Sequence, residues 1–308
     1  MKKSLLFTPL LLACAAAFSM QFYPGKYSAT DRNVKWSNCF WGNNVNFETD
    51  PLPGKPGGND SVTVRPGPWS FEIDGNHTVA QFHTGDGAKS FAKGKNFKAK
   101  RKISFSLSAF TGGETRQIWE KCQVEVGGPL EITFWHQATS AGKALFSLVD
   151  SKFISKGDLI CTVPANPIIK NTTRAGVEIR AEGASELSFN GGALIDSIFV
   201  DQNDQWFFKF NFKESNGKLP HIFFQRAAQF EKCDVEVTVS DKVKSGKYCL
   251  AEFQDKKSGL KDCRSVVFNG NAYNLGDTVK LGKRNAKLYM GGFGKDSKTP
   301  NDLILEIK

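Results

Sequence analysis

The stretch Trp206–Lys213, WFFKFNFK, places five aromatic rings in eight consecutive positions. In an extended strand, alternate side chains point to opposite faces, so Phe208, Phe210 and Phe212 share one face. The two lysines and the asparagine between them share the other face. This alternation predicts a half-buried strand whose three phenylalanines lie in a core, where each contributes roughly 1.5–3 kcal/mol.

The same period of two recurs along most of the chain. It is clear in Ile103–Leu107, Cys122–Val126, Leu130–Phe134, Val235–Val239 and Leu303–Ile307. Clusters of glycine, asparagine, aspartate and serine separate these segments, which is typical of strands joined by tight turns. No window beyond the N-terminal segment shows a sustained helical period. The sequence therefore predicts an all-β protein.

The first residues indicate export. Met1–Lys3 is a short positive segment, Leu5–Ala13 is apolar, and Ala15–Ala17 offers small residues for cleavage. The apolar run is too short to span a bilayer, and no later stretch is long and apolar enough, so we expect no transmembrane segment. We therefore expect residues 1–20 to be a signal peptide. The remaining domain, 21–308, is expected in the medium, at the cell surface or in the periplasm.

Cysteine usage fits the same compartment. Cys14 ends a loose lipobox, so a lipoprotein anchored through Cys14 is the alternative form of export. The cysteines after the signal segment are even in number, which indicates disulfides in an exported chain. Their spacing matches no zinc motif, so we expect neither a metal nor a cofactor. The disulfide candidates are Cys39, Cys122, Cys161, Cys233, Cys249 and Cys263.

Three short motifs occur twice in the same order, which predicts an internal duplication covering about 97–200 and 207–308. The first copies are Glu120–Val126, Ala141–Lys143 and Phe189–Ala193, and the second copies are Glu231–Val237, Ser245–Lys247 and Phe268–Ala272. Equivalent cysteines in the two copies would give the symmetric pairing Cys122–Cys161 and Cys233–Cys263. Short strands repeated with turn residues are also typical of solenoids.

Both ends of the chain resemble a known group of proteins. The opening segment is similar to that of exported β-helix proteins, and the closing segment resembles autotransporter-associated β-strand repeat proteins. The opening similarity lies in Trp36, Trp41, Pro53, Pro56–Val64 and Phe71–Asp74, and the closing similarity in Ser245–Leu250, Gly259–Leu260 and Asn301–Leu305.

This resemblance implies a right-handed parallel β-helix outside the cell and no known catalysis. The chain departs from the family in its many cysteines and in the lack of obvious tandem copies. We expect a passenger-like protein without a membrane barrel. Tandem β-sandwich modules, one for each copy of the duplication, are the alternative fold.

A cationic segment is the first candidate for binding. Lys93–Lys102 contains six cations in ten residues, within a chain of formal net charge +10 that falls to +8 when Lys2 and Lys3 are removed. If the following strand faces inward, Lys98, Lys100 and Lys102 project outward in a row. Such a row suits an acidic polysaccharide or another cell-surface polyanion, although solvated faces often look the same. No nucleic-acid-binding motif appears, so specific nucleic-acid binding is not expected.

Three further residues are candidates for contact with a ligand. Trp206 and Phe207 stand at the entrance of the aromatic strand, and His136 follows a predicted strand. The sequence contains no nucleophile elbow, Walker loop or zinc-protease helix, which favours a protein without catalytic activity. We therefore expect a structural or adhesion-type β-helix protein. Polysaccharide binding or degradation on the same scaffold is the alternative.

Overall fold

The computed structural model describes residues 20–25, 33–42, 54–65, 70–85, 87–107, 114–134, 142–163, 175–200, 205–261, 263–293 and 300–308. Within these ranges nearly all regular structure is β-strand. Helical turns are limited to a 3-10 helix at Trp36–Asn38 and a short helix, α1, at Ser197–Val200.

The strands follow one another at short intervals along the whole described chain. In chain order they are β1 (Gln21–Gly25), β2 (Asn33–Lys35), β3 (Phe40–Gly42), β4 (Ser61–Val64), β5 (Ser70–Ile73), β6 (His77–Thr84), β7 (Lys89–Lys93), β8 (Asn96–Leu107), β9 (Glu114–Glu120), β10 (Gln123–Val126), β11 (Leu130–Phe134), β12 (Lys143–Val149), β13 (Lys152–Ser155), β14 (Leu159–Thr162), β15 (Ala175–Glu182), β16 (Glu186–Phe189), β17 (Ala193–Ile195), β18 (Trp206–Lys213), β19 (His221–Phe224), β20 (Gln229–Glu231), β21 (Asp234–Thr238), β22 (Gly246–Phe253), β23 (Gly259–Lys261), β24 (Ser265–Phe268), β25 (Asn271–Tyr273), β26 (Thr278–Leu281), β27 (Arg284–Gly291) and β28 (Asp302–Ile307).

These strands form a parallel β-helix with three faces, which confirms the predicted fold class and sets aside the sandwich alternative. Face 1 contains β2, β5, β7, β9, β12, β15, β18, β21 and β24. Face 2 contains β4, β6, the first part of β8, β10, β13, β16, β19 and β22. Face 3 contains the second part of β8, β11, β14 and β17, followed by β20 and β23.

Each full coil runs from face 1 to face 2, then to face 3, and returns to face 1 one level higher. On face 2, position 123 pairs with 152, 152 with 186, and 186 with 221, so these coils take 29, 34 and 35 residues. The unequal coil lengths explain why no single repeat length is visible in the sequence. Parallel strands hold equivalent positions of neighbouring coils roughly 4.8 Å apart.

Aromatic rings fill the interior of this tube. Phe189, Phe224 and Phe253 are register partners on face 2, and their rings stack at centroid distances of 5.0 and 5.6 Å. Phe230, from face 3, lies 5.3 Å from Phe224 and 4.8 Å from Phe210 of face 1. One aromatic cluster therefore joins all three faces.

The aromatic segment Trp206–Lys213 forms β18. Phe208, Phe210 and Phe212 are at most 2% exposed, which confirms their predicted place in the core. Their rings follow one another at 5.0 and 6.1 Å along the strand. The predicted period-two pattern therefore identified the inward side of this strand correctly.

The two copies of the Glu-Lys-Cys motif do not occupy equivalent places in the coil. Glu120–Val126 turns the corner from face 1 to face 2, whereas Glu231–Val237 turns the corner from face 3 to face 1. Both corners place a lysine in the left-handed region, with φ of 52° at Lys121 and at Lys232. The motif is thus a local solution for a tight corner, used on different sides of the helix.

Antiparallel strands close both ends of the helix. At the N-terminal end β1 pairs antiparallel with β3, and Trp36 and Trp41 pack together at 5.0 Å above Phe71. At the C-terminal end β22, β28, β27 and β26 pair antiparallel in that order, and β24 pairs with β25. These caps cover edges that would otherwise pair with other chains.

The six described cysteines are all free thiols, and only one of the two expected disulfide pairs lies in contact. The Sγ atoms of Cys233 and Cys263, at the same corner of successive coils, are 4.0 Å apart. The pairing Cys122–Cys161 is wrong for this fold. Cys122 lies at the corner before β10, where its neighbour in the next coil is Ser151, whereas Cys161 is buried on face 3 beside Ile132.

No helix among the described residues has the length and apolar character needed to cross a membrane.

The aromatic stack gives a first test of the fold. Phe224→Ala should lower the free energy of unfolding by about 3–5 kcal/mol, because it leaves a cavity between Phe189, Phe230 and Phe253. Phe223→Ala is the matched control, since Phe223 precedes it in β19 and points outward. Urea unfolding followed by circular dichroism measures both. Equal losses for the two variants would contradict the assignment of inner and outer sides.

The close thiol pair gives a second test. Oxidation should join Cys233 to Cys263 and stabilise the folded chain by about 3–4 kcal/mol, because the bond closes a 30-residue loop in the unfolded state. Non-reducing peptide mapping identifies the bond, and thermal unfolding measures the gain. Cys263→Ser removes both effects. A map that joins Cys233 to another cysteine would refute the pairing.

Candidate functional site

The outer surface of face 1 carries a groove that crosses five consecutive strands, β12, β15, β18, β21 and β24. Its volume is ≈ 330 Å³. One row of register partners forms its floor, in the order Glu178, Lys209, Asp234 and Ser265. The complete lining is Lys143, Glu178, Phe207, Lys209, Asp234, Val235, Ser265 and Val267.

Phe207 is the aromatic wall of this groove. It is the outward neighbour of the buried Phe208, and it is partly exposed. Its register partner in the preceding coil is Gly176, where a Cβ atom would lie 2.6 Å from a carbon of the Phe207 ring. The Phe207 ring therefore lies next to the position that a side chain at residue 176 would occupy.

Glu178 is the most enclosed carboxylate of the groove, at 2% exposed. Its Oε1 atom accepts hydrogen bonds from Arg180 Nη2 at 2.7 Å and from Asn211 Nδ2 at 3.0 Å, and its other oxygen pairs with Lys143. Burial by itself would raise the pKa of this carboxyl, but the bonds and charges of Lys143 and Arg180 outweigh burial and lower it to about 2. Glu178 is therefore ionised at every physiological pH.

The second carboxylate of the floor is also paired. Arg264 forms a bidentate ion pair with Asp234. Its Nε donates to Oδ1 at 3.0 Å, and its Nη2 donates to Oδ2 at 2.7 Å. The same guanidinium donates to the Trp206 carbonyl at 3.1 Å. Between these two carboxylates, Lys209 forms an ion pair with Glu236. The two parallel hydrogen bonds from Arg264 fix the Asp234 carboxylate in one orientation.

The ion-paired groups of the groove favour ligand binding over proton transfer. A general acid needs a proton at the working pH, and the low pKa of Glu178 removes that role. Asp234 is engaged on both oxygens by Arg264. Fixed charges with several donors and acceptors beside an aromatic ring can bind a ligand that is rich in hydroxyl groups.

The structure separates the two aromatic residues that the sequence grouped as ligand contacts. Phe207 lies in the groove, as expected of a contact residue. Trp206 does not, because its ring is 2% exposed and packs at 5.2 Å from Phe134 and 5.5 Å from Phe199. Trp206 is in phase with Phe208 in the alternation of β18, so it joins the core, and its expected role in ligand contact is wrong.

The predicted lysine row is divided by the corner that β8 makes between face 2 and face 3. Lys98 pairs with Glu125 at 3.3 Å on face 2, and Lys102 pairs with Glu131, a face 3 residue, at 2.6 Å. Lys100, between them, donates to the side-chain oxygen of Asn59 at 2.9 Å. Lys98 and Lys100 are exposed, as expected. The three lysines do not form one continuous row, however, because the chain bends between them, and each ammonium group has a partner.

A second depression lies beside Lys98 on face 2, with a volume of ≈ 330 Å³. Amide and hydroxyl groups dominate its lining, which contains Asn76, His77, Thr78, Asn96, Phe97, Lys98, Gln123 and Glu125. Its one aromatic ring besides His77 belongs to Phe97, which is buried. This depression lacks the exposed aromatic wall that Phe207 gives to the groove on face 1.

None of the histidines that the structure describes lines the groove. His136, a predicted contact residue, lies outside the described residues. Both ring nitrogens of His83 are hydrogen-bonded, Nδ1 with Ser104 Oγ at 2.9 Å and Nε2 with Ser106 Oγ at 3.1 Å. Burial, and then the charge of Lys102, lowers the pKa of His83 to about 4. His83 is thus neutral at physiological pH, with both nitrogens engaged.

The sequence did not single out most of the groove residues. Lys143, Glu178, Lys209, Asp234 and Arg264 come from five coils, and no motif links them along the chain. Each occupies an outward or corner position in an alternating segment, which the sequence does indicate. Their assembly depends on the register between coils, and that register depends on loop lengths.

Comparison with known proteins identifies no relative: no family model matches the chain, and neither a curated protein nor a solved structure is significantly similar to it. The resemblance to autotransporter-associated β-strand repeat proteins therefore stays a prediction.

The buried ion network predicts a specific acid sensitivity. Because folding lowers the pKa of Glu178 from 4.5 to about 2, its ionised form stabilises the fold above pH 4.5, and this contribution is lost as the pH falls towards 2. The contribution at neutral pH is on the order of 3 kcal/mol. Glu178→Gln should lower stability at pH 7 and flatten the change in stability between pH 4.5 and 2.

Chemical unfolding at a series of pH values measures this effect. Glu125→Gln is the control, since the Glu125 side chain is 62% exposed and its ion pair with Lys98 contributes little. An acid profile of Glu178→Gln that is identical to the wild-type profile would refute the assigned role.

Proposed function

We propose that this chain is an exported β-helix protein that binds saccharides along the outer surface of face 1. The observation that carries the proposal is the groove in which the partly exposed ring of Phe207 stands beside a row of fixed polar groups. Aromatic rings provide flat apolar contact to a sugar ring, while convergent polar groups fix its orientation.

The charge balance of the groove specifies the ligand further. Its lining contains two ammonium groups, Lys143 and Lys209, and two carboxylates, Glu178 and Asp234. A charge-balanced floor favours a neutral saccharide, whose hydroxyl groups can both donate and accept hydrogen bonds. The acidic polysaccharide expected from the lysine-rich segment has less support, because the three lysines of that row are paired or hydrogen-bonded.

The same features favour binding without turnover. Cleavage of a glycosidic bond commonly requires one protonated and one ionised carboxyl group beside the bond. In the groove, Glu178 is held ionised by Lys143 and Arg180, and Asp234 is held by Arg264. We therefore propose a binding protein at the cell surface or in its surroundings, with the N-terminal segment acting as its export signal.

A purely structural role is the second candidate. It is supported by the ends of the helix: antiparallel strands cover both edges, and packed tryptophans cover the N-terminal one. A capped rod of this kind can serve as a spacer without any ligand. In that case the groove would be a consequence of the missing side chain at Gly176 and the small side chain at Ser265, and it would bind no saccharide.

Glycan binding separates these candidates. The protein without its signal segment is applied to an array of neutral and acidic glycans, and its hits are measured by titration calorimetry at low and high salt. We expect at least one neutral glycan whose binding resists salt, since screening weakens ionic attraction and leaves stacking largely unaffected. Phe207→Ala should weaken that binding by roughly tenfold or more, a loss of about 1.4 kcal/mol.

Phe293→Ala is the matched control, because Phe293 is 39% exposed and lies on the C-terminal cap, outside the groove. Release of reducing or unsaturated ends is followed in the same mixtures. Turnover that depends on Glu178 would replace the binding proposal with an enzyme, and the absence of any bound glycan would favour the structural rod.

A further inference from the structure

Three side chains with metal-binding atoms meet on the outer surface of face 2, away from the groove. They are His221 of β19 and Cys249 and Glu252 of β22, the next strand of the same face. Their ligand atoms all lie within 4.8 Å of one another, and His221 Nε2 is 3.3 Å from Glu252 Oε2. Within the described residues this is the group of side chains that brings nitrogen, sulfur and oxygen donors together.

An irregularity in β22 creates this meeting. Cys249 and Glu252 are three residues apart, and in a regular strand such residues point to opposite faces. The ladder between β22 and β28 shifts register between Cys249 and Ala251, which marks a β-bulge. As a result Leu250 and Ala251 are both fully buried, while Cys249 and Glu252 are both partly exposed on the outer surface.

A bulge of this kind commonly re-aims a side chain near a functional site. Without it, Cys249 would point into the tube and the cluster would contain only His221 and Glu252. The bulge therefore adds the thiol of Cys249 to the set of donor atoms. Packing alone does not require this change.

The geometry points to a transition-metal site, and we propose that His221, Cys249 and Glu252 bind Zn²⁺ or a similar borderline ion. Imidazole, thiolate and carboxylate are the ligands that Zn²⁺ uses in proteins, whereas Ca²⁺ and Mg²⁺ prefer oxygen donors alone. Tetrahedral zinc holds its ligand atoms roughly 3.3–3.8 Å apart. The His221–Glu252 separation already matches this spacing, and the thiol needs to move by about an ångström.

The surroundings of Cys249 are consistent with a cation. The carboxylates of Asp302 and Glu252 lie near its thiol and give this part of the protein a negative charge. Asp302 accepts hydrogen bonds from the backbone N–H groups of Phe253 at 2.9 Å and Phe293 at 3.0 Å. Because both of its oxygens are used in this way, Asp302 acts through its charge rather than as a fourth ligand. A divalent ion would balance the negative charges around Cys249, and its binding to the sulfur atom would displace the proton of the thiol.

Three protein ligands on an outward surface leave a fourth position open to solvent. Structural zinc sites usually fill all four positions with side chains, whereas an open position allows a water molecule or an external ligand to bind. The site on face 2 therefore takes an exchangeable partner, such as a carboxylate or imidazole group of another molecule. It is independent of the saccharide groove, which lies on face 1.

Cobalt spectroscopy tests the site directly. The metal-free, reduced protein without its signal segment is titrated with Co²⁺, and a thiolate-to-cobalt charge-transfer band in the near ultraviolet is expected, with the intense visible bands of tetrahedral coordination. Zn²⁺ should displace the cobalt and remove both signals. Competition with a chromophoric chelator then measures the affinity for Zn²⁺.

The variants Cys249→Ser, His221→Ala and Glu252→Gln separate this site from other thiols. Cys249→Ser should abolish the charge-transfer band, and each of the other two should weaken Zn²⁺ binding at least tenfold. Cys263→Ser and Glu125→Gln are the controls, a thiol of the C-terminal coils and a carboxylate of the same face, and both should bind as the wild type does. Circular dichroism verifies that every variant is folded.

The proposal is overturned if the wild-type protein shows no charge-transfer band, if the band survives Cys249→Ser, or if Cys263→Ser removes it. If Cys249→Ser fails to fold, the pair His221→Ala and Glu252→Gln decides, because both side chains point outward. Unchanged affinity in both of these variants would place the metal elsewhere.

Discussion

The parallel backbone ladder is the constraint on which the rest of this structure depends. Because it holds equivalent positions of successive coils roughly 4.8 Å apart, every side chain must be compatible with its neighbours one coil above and below. Inside the tube this requirement is met by stacked rings, such as Phe189, Phe224 and Phe253, whose planes differ by only 5–7°. Phe230 then connects the stack to the other two faces.

The same ladder organises the outer surface by charge. Like charges one coil apart would repel each other, and on face 1 the row Glu178, Lys209 and Asp234 alternates in sign instead. Ion pairs with other neighbours hold these groups in fixed positions: Glu178 pairs with Lys143 and Arg180, Lys209 with Glu236, and Asp234 with Arg264. Fixed positions suit a binding surface and do not suit a pair of carboxyl groups that exchanges protons. A glycine in the preceding coil, Gly176, leaves the space into which the Phe207 ring folds.

Corners and irregularities give the coils their individual features. Lys121 and Lys232 both adopt a positive φ, so the same short motif turns two different corners of the helix. The repeated motif therefore reflects the demands of a tight turn, and its two copies lie on different sides of the tube. The bulge in β22 has a comparable local effect, since it brings Cys249 to the same surface as His221.

From the sequence alone, the all-β class, the coiled parallel architecture and the inward side of β18 could be predicted. The all-β class and the inward side of β18 depend on local alternation and on turn residues, which a single strand already displays. The coiled parallel architecture was instead implied by the resemblance of the two ends of the chain to exported β-helix proteins. Phe207 was also a candidate, as one of the two aromatic residues at the entrance of the strand. The alternation of β18 also places Trp206 on the inward side, together with Phe208. The bend that divides Lys98 from Lys102 and the assembly of the groove were decided only by the tertiary structure. Each of them depends on how far the chain advances between coils, and loops of unequal length set that advance without leaving a pattern in the sequence.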